Sequence, residues 1–231
     1  MLRLSEKNAV LLVVIFGSFI SPFLFSAVNI ALPTIGTEYN VDSISLNWVP
    51  TAYLLAIAVI ILPAGRLSDL YGMRKMYFAG MFLSSITTLL CAVAPAFSFL
   101  IAARVAQGLS VGMALGIGPA MLTVTFPPEQ RGRVLGISTA AVYIGISAGP
   151  IVSGALVQNF GWRSVFWVIV FYYLMVAILT KVFIKTEWIS DKKVKFDIKG
   201  SLLYAAGMVL LIYGISEIPS ASAIVFAVAG L

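Results

Sequence analysis

The longest nearly charge-free stretch of the sequence, MYFAGMFLSSITTLLCAVAPAFSFLIAARVAQGLSVGMALGIGPAMLTVTFPP (residues 76–128), decides the fold. It holds 53 residues, and Arg104 is the one charged residue among them. As a single α-helix the stretch would be about 80 Å long, whereas about 20 apolar residues cross the hydrocarbon core of a bilayer. Pro95 lies near its middle and disfavours helix at the residue before it. The sequence therefore predicts two membrane-spanning helices here, separated at residues 94–98.

Charge-free runs on both sides of this stretch predict further spans, so the expected fold is an all-α integral membrane protein. The last apolar run, residues 218–231, is too short to cross and is interpreted as the start of an eighth span. We therefore expect the chain to be a fragment or one chain of a split protein. The seven full spans are predicted at about residues 9–33, 46–66, 76–95, 98–122, 134–157, 163–184 and 200–217.

The composition excludes several classes of protein. Hydrophobic residues make up 61% of the chain and charged residues 10%, against about 45–50% and about 25% in soluble domains. The net charge of +6 comes from short loops between apolar runs, so nucleic acid is a poor partner. The chain has no His and one Cys, which excludes intrachain disulfides, Cys/His zinc sites and histidine relays. No nucleophile–base pair, metal cluster or phosphate loop stands out, and we expect neither enzymatic activity nor a cofactor.

The basic residues predict the orientation in the membrane. All but two of the 15 Lys and Arg residues, Arg104 and Arg163, precede span 1 or lie between spans 2 and 3, 4 and 5, or 6 and 7. Because cytoplasmic loops are enriched in Lys and Arg, the N-terminus is predicted to be cytoplasmic in a multi-pass plasma-membrane protein. Residues 185–199 form a basic cytoplasmic linker that contacts anionic lipid headgroups in this interpretation.

Polar residues inside the spans are the first candidates for a substrate or coupling path. Arg104 lies about six residues from the outer end of span 4, and Gln107 follows one turn later. A charge inside the membrane is costly and usually functional, although Arg104 could instead extend to the outer headgroups. Asn29 in span 1 and Tyr53 in span 2 either line the same path or bond to a neighbouring helix.

Small residues recur at a spacing of four in spans 4 and 5. Such spacing lets helices approach closely in lipid, and its commoner use is static packing. Gly149 and Pro150 also predict a bend, since proline removes a helix hydrogen bond, and a bend suits helices that rock against one another. The residues at this spacing are Gly108, Gly112 and Gly116 in span 4, and Ala141, Gly145 and Gly149 in span 5, which Pro150 and Gly154 follow.

The segment between spans 2 and 3, GRLSDLYGMRK (residues 65–75), carries several turn and charge signals. Asp69 can cap a helix N-terminus, and Gly72 permits a positive φ in a tight turn. Arg74 and Lys75 keep the segment in the cytoplasm. The segment is therefore either a capped topological turn or a charge latch that holds one conformation of a transporter.

These motifs resemble those of the major facilitator superfamily. Its pattern between spans 2 and 3 is matched by Gly65, Asp69, Gly72, Arg74 and Lys75, with Leu70 in place of the usual basic residue. Four further segments resemble the family or its fourteen-span drug:proton antiporter branch. They are Arg104-x-x-Gln107-Gly108, Gly145-x3-Gly149-Pro150-x-x-Ser153-Gly154, Asn29-Ile30-Ala31-Leu32-Pro33 and Trp48-Val49-Pro50-Thr51-Ala52-Tyr53-Leu54-Leu55.

The resemblance implies a six-helix N-terminal domain (residues 1–184), the basic linker (185–199), and a seventh span with the start of an eighth (200–231). It also implies alternating access around a site shared with a C-terminal half that is absent from this chain. The expected function is proton-coupled efflux of amphipathic, drug-like small molecules, with residues 65–75 as the gating loop. The alternatives are a facilitator or importer of a small metabolite and a non-transporting membrane scaffold or half-transporter.

One position departs from the branch. Many fourteen-span antiporters carry an Asp five residues before Asn29, where this sequence has Leu24. Arginine stays charged and cannot relay a proton by itself. Either the coupling carboxylate lies in the absent half, or the protein is not driven by protons in the usual way.

Overall fold

The computed structural model describes residues 5–189 and 197–216, and every regular element within these ranges is an α-helix. The helices are α1 (Glu6–Tyr39), α2 (Ser43–Leu46), α3 (Trp48–Tyr71), α4 (Met73–Ala92), α5 (Phe97–Leu115), α6 (Ile117–Thr125), α7 (Pro128–Phe160), α8 (Arg163–Phe183) and α9 (Ile198–Ser216).

Six helical stretches are long and apolar enough to cross a membrane. Four of them are the single helices α1, α4, α7 and α8, and two combine neighbouring helices, α2 with α3 and α5 with α6. These stretches confirm the six spans predicted between residues 9 and 184. Helix α9 covers the predicted seventh span, and its crossing of the membrane stays a prediction. The predicted eighth span lies outside the described residues, as do residues 190–196 of the linker.

Prolines account for the irregularities along the spans. The chain leaves helix between Ala92 and Phe97, around Pro95, as the sequence predicts. Pro119 has no N–H to donate to the carbonyl of Leu115, which is the last residue of α5. Pro50 likewise has no N–H to donate to the carbonyl of Leu46, which is the last residue of α2. Each missing bond coincides with the end of a helix, and the span continues as a second helix after one intervening residue.

The helices pack in pairs, α1 against α7, α3 against α5, and α4 against both α5 and α8. Two glycines permit the closest approaches. A Cβ at Gly108 would collide with the backbone oxygen of Tyr53, and one at Gly145 would collide with that of Phe19. The stripe of small residues in span 4 therefore faces α3, and part of the stripe in span 5 faces α1.

A polar cluster ties together the helix ends opposite the start of α1. Arg163 forms an ion pair with Glu38 at 2.6 Å, and its Nη2 donates to the carbonyl of Ala94 at 3.1 Å. The indole N–H of Trp162 donates to the same carboxylate at 2.7 Å, and Tyr39 donates to Ala94 at 2.8 Å. The cluster fixes the end of α1 against the loop before α5 and the turn before α8.

Candidate functional site

Arg104 lies inside the bundle between α3 and α5 and is fully buried. Its Nε donates to the carbonyl oxygen of Val49 at 3.0 Å, and its Nη1 donates to Oε1 of Gln107. The guanidinium stacks on the ring of Tyr53, 4.2 Å from the centroid. Its Nη2 is buried and has no hydrogen-bond partner within the described residues. The side chain is thus held by neighbouring helices rather than extended to headgroups.

Gln107 carries the hydrogen-bond network from Arg104 towards α4. Its Nε2 donates to the hydroxyl of Thr88 at 2.6 Å, and that hydroxyl donates to the carbonyl of Ser84, also at 2.6 Å. The thiol of Cys91 approaches Oε1 of Gln107 at 3.7 Å. The network contains no carboxylate, so it orients a permanent positive charge and supplies no group that titrates near neutral pH. Within residues 5–189 and 197–216, no group of three or more His, Cys, Asp or Glu could hold a metal ion.

The four residues expected to line a path fall into two groups. Arg104, Gln107 and Tyr53 meet in one buried cluster. Asn29 is exposed on α1, and its amide donates to the carbonyl of Phe25 in the same helix at 2.9 Å. Asn29 therefore faces outward from the described bundle and is separate from the arginine cluster.

The contact between α1 and α7 centres on a proline. Pro150 cannot donate to the carbonyl of Ile146, and the hydroxyl of Ser26 from α1 donates to that oxygen at 2.9 Å instead. A Cβ at Gly149 would lie 2.7 Å from Cβ of Ser26, whereas one at Gly154 would meet nothing within 4 Å. Gly145 and Gly149 thus belong to this contact, and Gly154 does not. No local signal in the sequence indicated this partner of Ser26, because the acceptor lies 120 positions away.

The gating loop differs from its prediction. Residues 65–71 are the last turns of α3, because no residue between Gly65 and Tyr71 stops the helix. Gly72 alone separates α3 from α4, and its φ of 103° is one that side chains rarely adopt. The turn is therefore much tighter than an eleven-residue loop.

Asp69 does not cap α4, contrary to the expectation. The backbone N–H groups of Arg74 and Lys75 donate to Glu187 at 2.8 and 3.4 Å, and that of Met73 donates to the carbonyl of Trp188 at 3.0 Å. The segment after α8 thus caps α4, whereas Asp69 lies within α3.

Arg74 makes a second bond to the same region, from Nη2 to the carbonyl of Lys181 at 3.2 Å. Glu187 is one of three acidic residues in the predicted basic linker, with Asp191 and Asp197, so nothing in the sequence distinguished it as the cap. The gating segment is thereby anchored to the end of the six-helix domain.

A family model, the Major Facilitator Superfamily, matches residues 14–202. The riboflavin transporter RibZ of Clostridioides difficile is 32% identical over 93% of this chain and 47% of its own length. The multidrug resistance protein Stp of Mycobacterium tuberculosis is 36% identical over 83% of this chain and 36% of its own length. The chain therefore spans less than half the length of these relatives.

The solved structures agree on the fold. The POT family transporter PepTSo superimposes with a TM-score of 0.74 at 12% identity, over 97% of this chain and 51% of that one. At this identity the likeness concerns the fold alone. The chain belongs to the major facilitator superfamily of multi-pass membrane proteins.

Proposed function

We propose that the chain is the N-terminal half of a secondary active transporter that exports amphipathic, drug-like small molecules by proton-coupled alternating access. A C-terminal half supplies the second wall of the central site. The N-terminus is cytoplasmic, as the distribution of Lys and Arg predicts, and the membrane is the plasma membrane. No enzymatic step and no cofactor enters the proposal.

The observation that carries the proposal is the buried charge of Arg104. A guanidinium at membrane depth costs from about 2.5 to more than 10 kcal/mol, and such residues generally serve transport or coupling. Arg104 is fully buried, no carboxylate compensates it among the groups it contacts, and one of its nitrogens is unpaired there. If Arg104 served only to stabilise the packing of the helices, an apolar side chain of similar size would do so without the cost of desolvating a charge.

The proton must bind elsewhere, because arginine does not titrate and Leu24 stands at the branch's acidic position. We assign the coupling carboxylate to the C-terminal half. Arg104 would then favour the ionised form of that carboxylate whenever the two approach, since an opposite charge nearby lowers the pKa of an acid. Protonation of that carboxylate would break its ion pair with Arg104, which would couple proton uptake to the arrangement of the two halves.

The α1–α7 contact and the gating segment are assigned supporting roles. Gly145, Gly149 and Pro150 form the hinge of α7, and Gly65, Asp69, Gly72, Arg74 and Lys75 form the gate. We assign Arg104, Gln107 and Tyr53 to one buried part of the path, and Asn29, on the outward face of α1, to a separate part of it. Asp69 has no capping role, which leaves its carboxylate available to the second half.

A metabolite transporter of the same fold is the second candidate. The similarity to a protein named as a riboflavin transporter favours it, whereas the similarity to one named for multidrug resistance favours the drug exporter.

Transport by the full-length protein in proteoliposomes separates the two candidates. A proton-coupled exporter moves ethidium faster under an imposed pH gradient and reverses when the gradient is reversed. A facilitator shows riboflavin counterflow that is indifferent to the gradient. Empty liposomes and liposomes with collapsed gradients are the controls, and transport of neither solute would contradict both candidates.

A further inference from the structure

A cavity of about 320 Å³ lies between the first turns of α1 and α7. Its wall includes Asn8 of α1 and Gln130 and Arg133 of α7. Both helices begin at the end of the bundle that the basic residues predict to be cytoplasmic. The cavity is therefore placed at the level of the cytoplasmic headgroups, well away from the arginine cluster.

The lining changes from polar to apolar with depth. Asn8, Gln130 and Arg133 lie in the first two turns of their helices, and Leu11 and Ile137 come about one turn further in. From Gln130 to Ile137 the helix rises by about 10 Å. A phospholipid shows the same order, with a polar headgroup outside and acyl chains inside.

The polar side chains at the mouth have no partners within the part of the chain that the structure describes. Arg133 and Gln130 are exposed, and no hydrogen bond or ion pair of their side chains is formed there. The neighbouring Arg131, by contrast, donates to the carbonyl of Phe126 at 3.2 Å. Arg133 is thus free to bind an anion at the mouth.

The charges around the mouth favour an anion. Lys7 and Arg131 adjoin the cavity residues in sequence, and Glu129 is the one acidic side chain in the first turn of α7. Glu6 at the start of α1 is engaged elsewhere, since its carboxylate accepts the N–H groups of Lys185 and Thr186 at 2.9 and 2.6 Å. The basic charge near the mouth therefore exceeds the free acidic charge.

We propose that this cavity binds an anionic phospholipid, with the phosphate at Arg133, Gln130 and Asn8 and an acyl chain along Leu11, Val134 and Ile137. Basic pockets between membrane helices on the cytoplasmic side recognise such headgroups. The lipid would fill the groove between α1 and α7 and stabilise their pairing. The site lies apart from the arginine cluster, and its binding can be tested without any transport measurement.

Native mass spectrometry of the full-length protein tests the proposal, with dioleoyl phosphatidylglycerol as the probe and phosphatidylcholine as the neutral comparison. Arg133→Gln should weaken phosphatidylglycerol binding about fivefold, the effect of one basic residue at an anionic surface. Lys181→Gln removes the same charge near the same end of the bundle, outside both the cavity and the basic linker, and should bind like the wild type. Ile137→Trp fills the apolar part and should weaken binding without changing the charge.

Three results would overturn the proposal. Equal phosphatidylglycerol binding by the wild type and Arg133→Gln would show that Arg133 does not contact the headgroup. Displacement of the lipid by inorganic phosphate, together with unchanged binding by Ile137→Trp, would indicate a small-anion site. Cross-linking of Ile137→Cys to the second half, unaffected by added phosphatidylglycerol, would assign the groove to the partner half. Arg133 is exposed, so its variant should fold, and circular dichroism verifies this.

Discussion

The contact of Ser26 with the proline of α7 gives the sharpest prediction for the hinge. Ser26→Ala removes the hydroxyl that donates to the carbonyl of Ile146 and leaves the Cβ in place. Pro150 provides no N–H as a substitute. The oxygen of Ile146 then loses its bond, and the pairing of α1 with α7 should weaken.

The expected loss of stability follows from the length and the burial of this hydrogen bond. Hydrogen bonds between membrane helices contribute about 0.6 kcal/mol on average and up to about 1.7 kcal/mol. The bond is 2.9 Å long and Ser26 is half-buried, which places the cost of Ser26→Ala near the middle, at about 1 kcal/mol. In Pro150→Ala the restored N–H can donate to Ile146, so Ser26→Ala should cost almost nothing in that background.

A double-mutant cycle on the full-length protein measures this coupling. Unfolding in mixed micelles of dodecyl maltoside and sodium dodecyl sulfate, followed by helical circular dichroism, gives the four free energies of unfolding. Ser147→Ala is the matched control, because Ser147 lies next to Ile146, is exposed and makes no hydrogen bond of its side chain within the described residues. Its cost should be the same with and without Pro150.

An equal cost of Ser26→Ala in both backgrounds would refute the reasoning. That result would mean that the hydroxyl does not replace the N–H missing at Pro150. A coupling of about 1 kcal/mol would establish that α1 completes the hydrogen bonding of the hinge.

Three further predictions follow from other contacts. Gly145→Ala should destabilise the protein by about 1–3 kcal/mol, because the new Cβ meets rigid backbone of α1, whereas Gly154→Ala, which meets open space, should change stability by less than about 0.5 kcal/mol in the same unfolding assay. Glu187→Ala should cost about 1 kcal/mol and speed amide exchange at the start of α4, measured by hydrogen-exchange mass spectrometry, since it removes the cap; unchanged exchange would contradict this role. Glu38→Gln should lower stability by at most about 1 kcal/mol and remove most of its salt dependence, because the pair with Arg163 is partly exposed; an unaltered salt dependence would contradict a stabilising role of the Glu38–Arg163 ion pair.

Hydropathy made the six spans predictable, because a helix in lipid must be apolar over its whole crossing. The break at Pro95 was predictable for an equally local reason. Gln107 follows Arg104 by three positions, so their pairing could be expected from helix geometry alone. The contacts that depend on distant helices were not predictable in this way. Ser26 meets Ile146 across 120 positions, and no local pattern indicates which helices become neighbours.

The gating loop, residues 65–75, was predicted as a loop, but all of it except Gly72 is helical. Charged residues after Gly65 suggested a loop, yet a helix readily continues beyond the membrane and bears charges there. Its end at Gly72 depends on a positive φ, and its continuation as α4 depends on a cap from Glu187, more than 110 positions later. The sequence motif indicated the right residues for a tight turn but not the partner that holds it.

The role of Arg104 is tested most directly by transport through Arg104→Gln and Arg104→Lys. Both variants remove the planar fork that reaches Val49 and Gln107, and only the lysine keeps the charge. Ethidium efflux driven by a pH gradient is measured in proteoliposomes with equal amounts of folded protein, and Lys185→Gln is the control. We predict that Arg104→Gln lowers the rate by about tenfold or more, a barrier increase of about 1.4 kcal/mol, and that Arg104→Lys retains part of the wild-type rate. Efflux by Arg104→Gln at the wild-type rate would contradict the central claim that this buried charge serves transport.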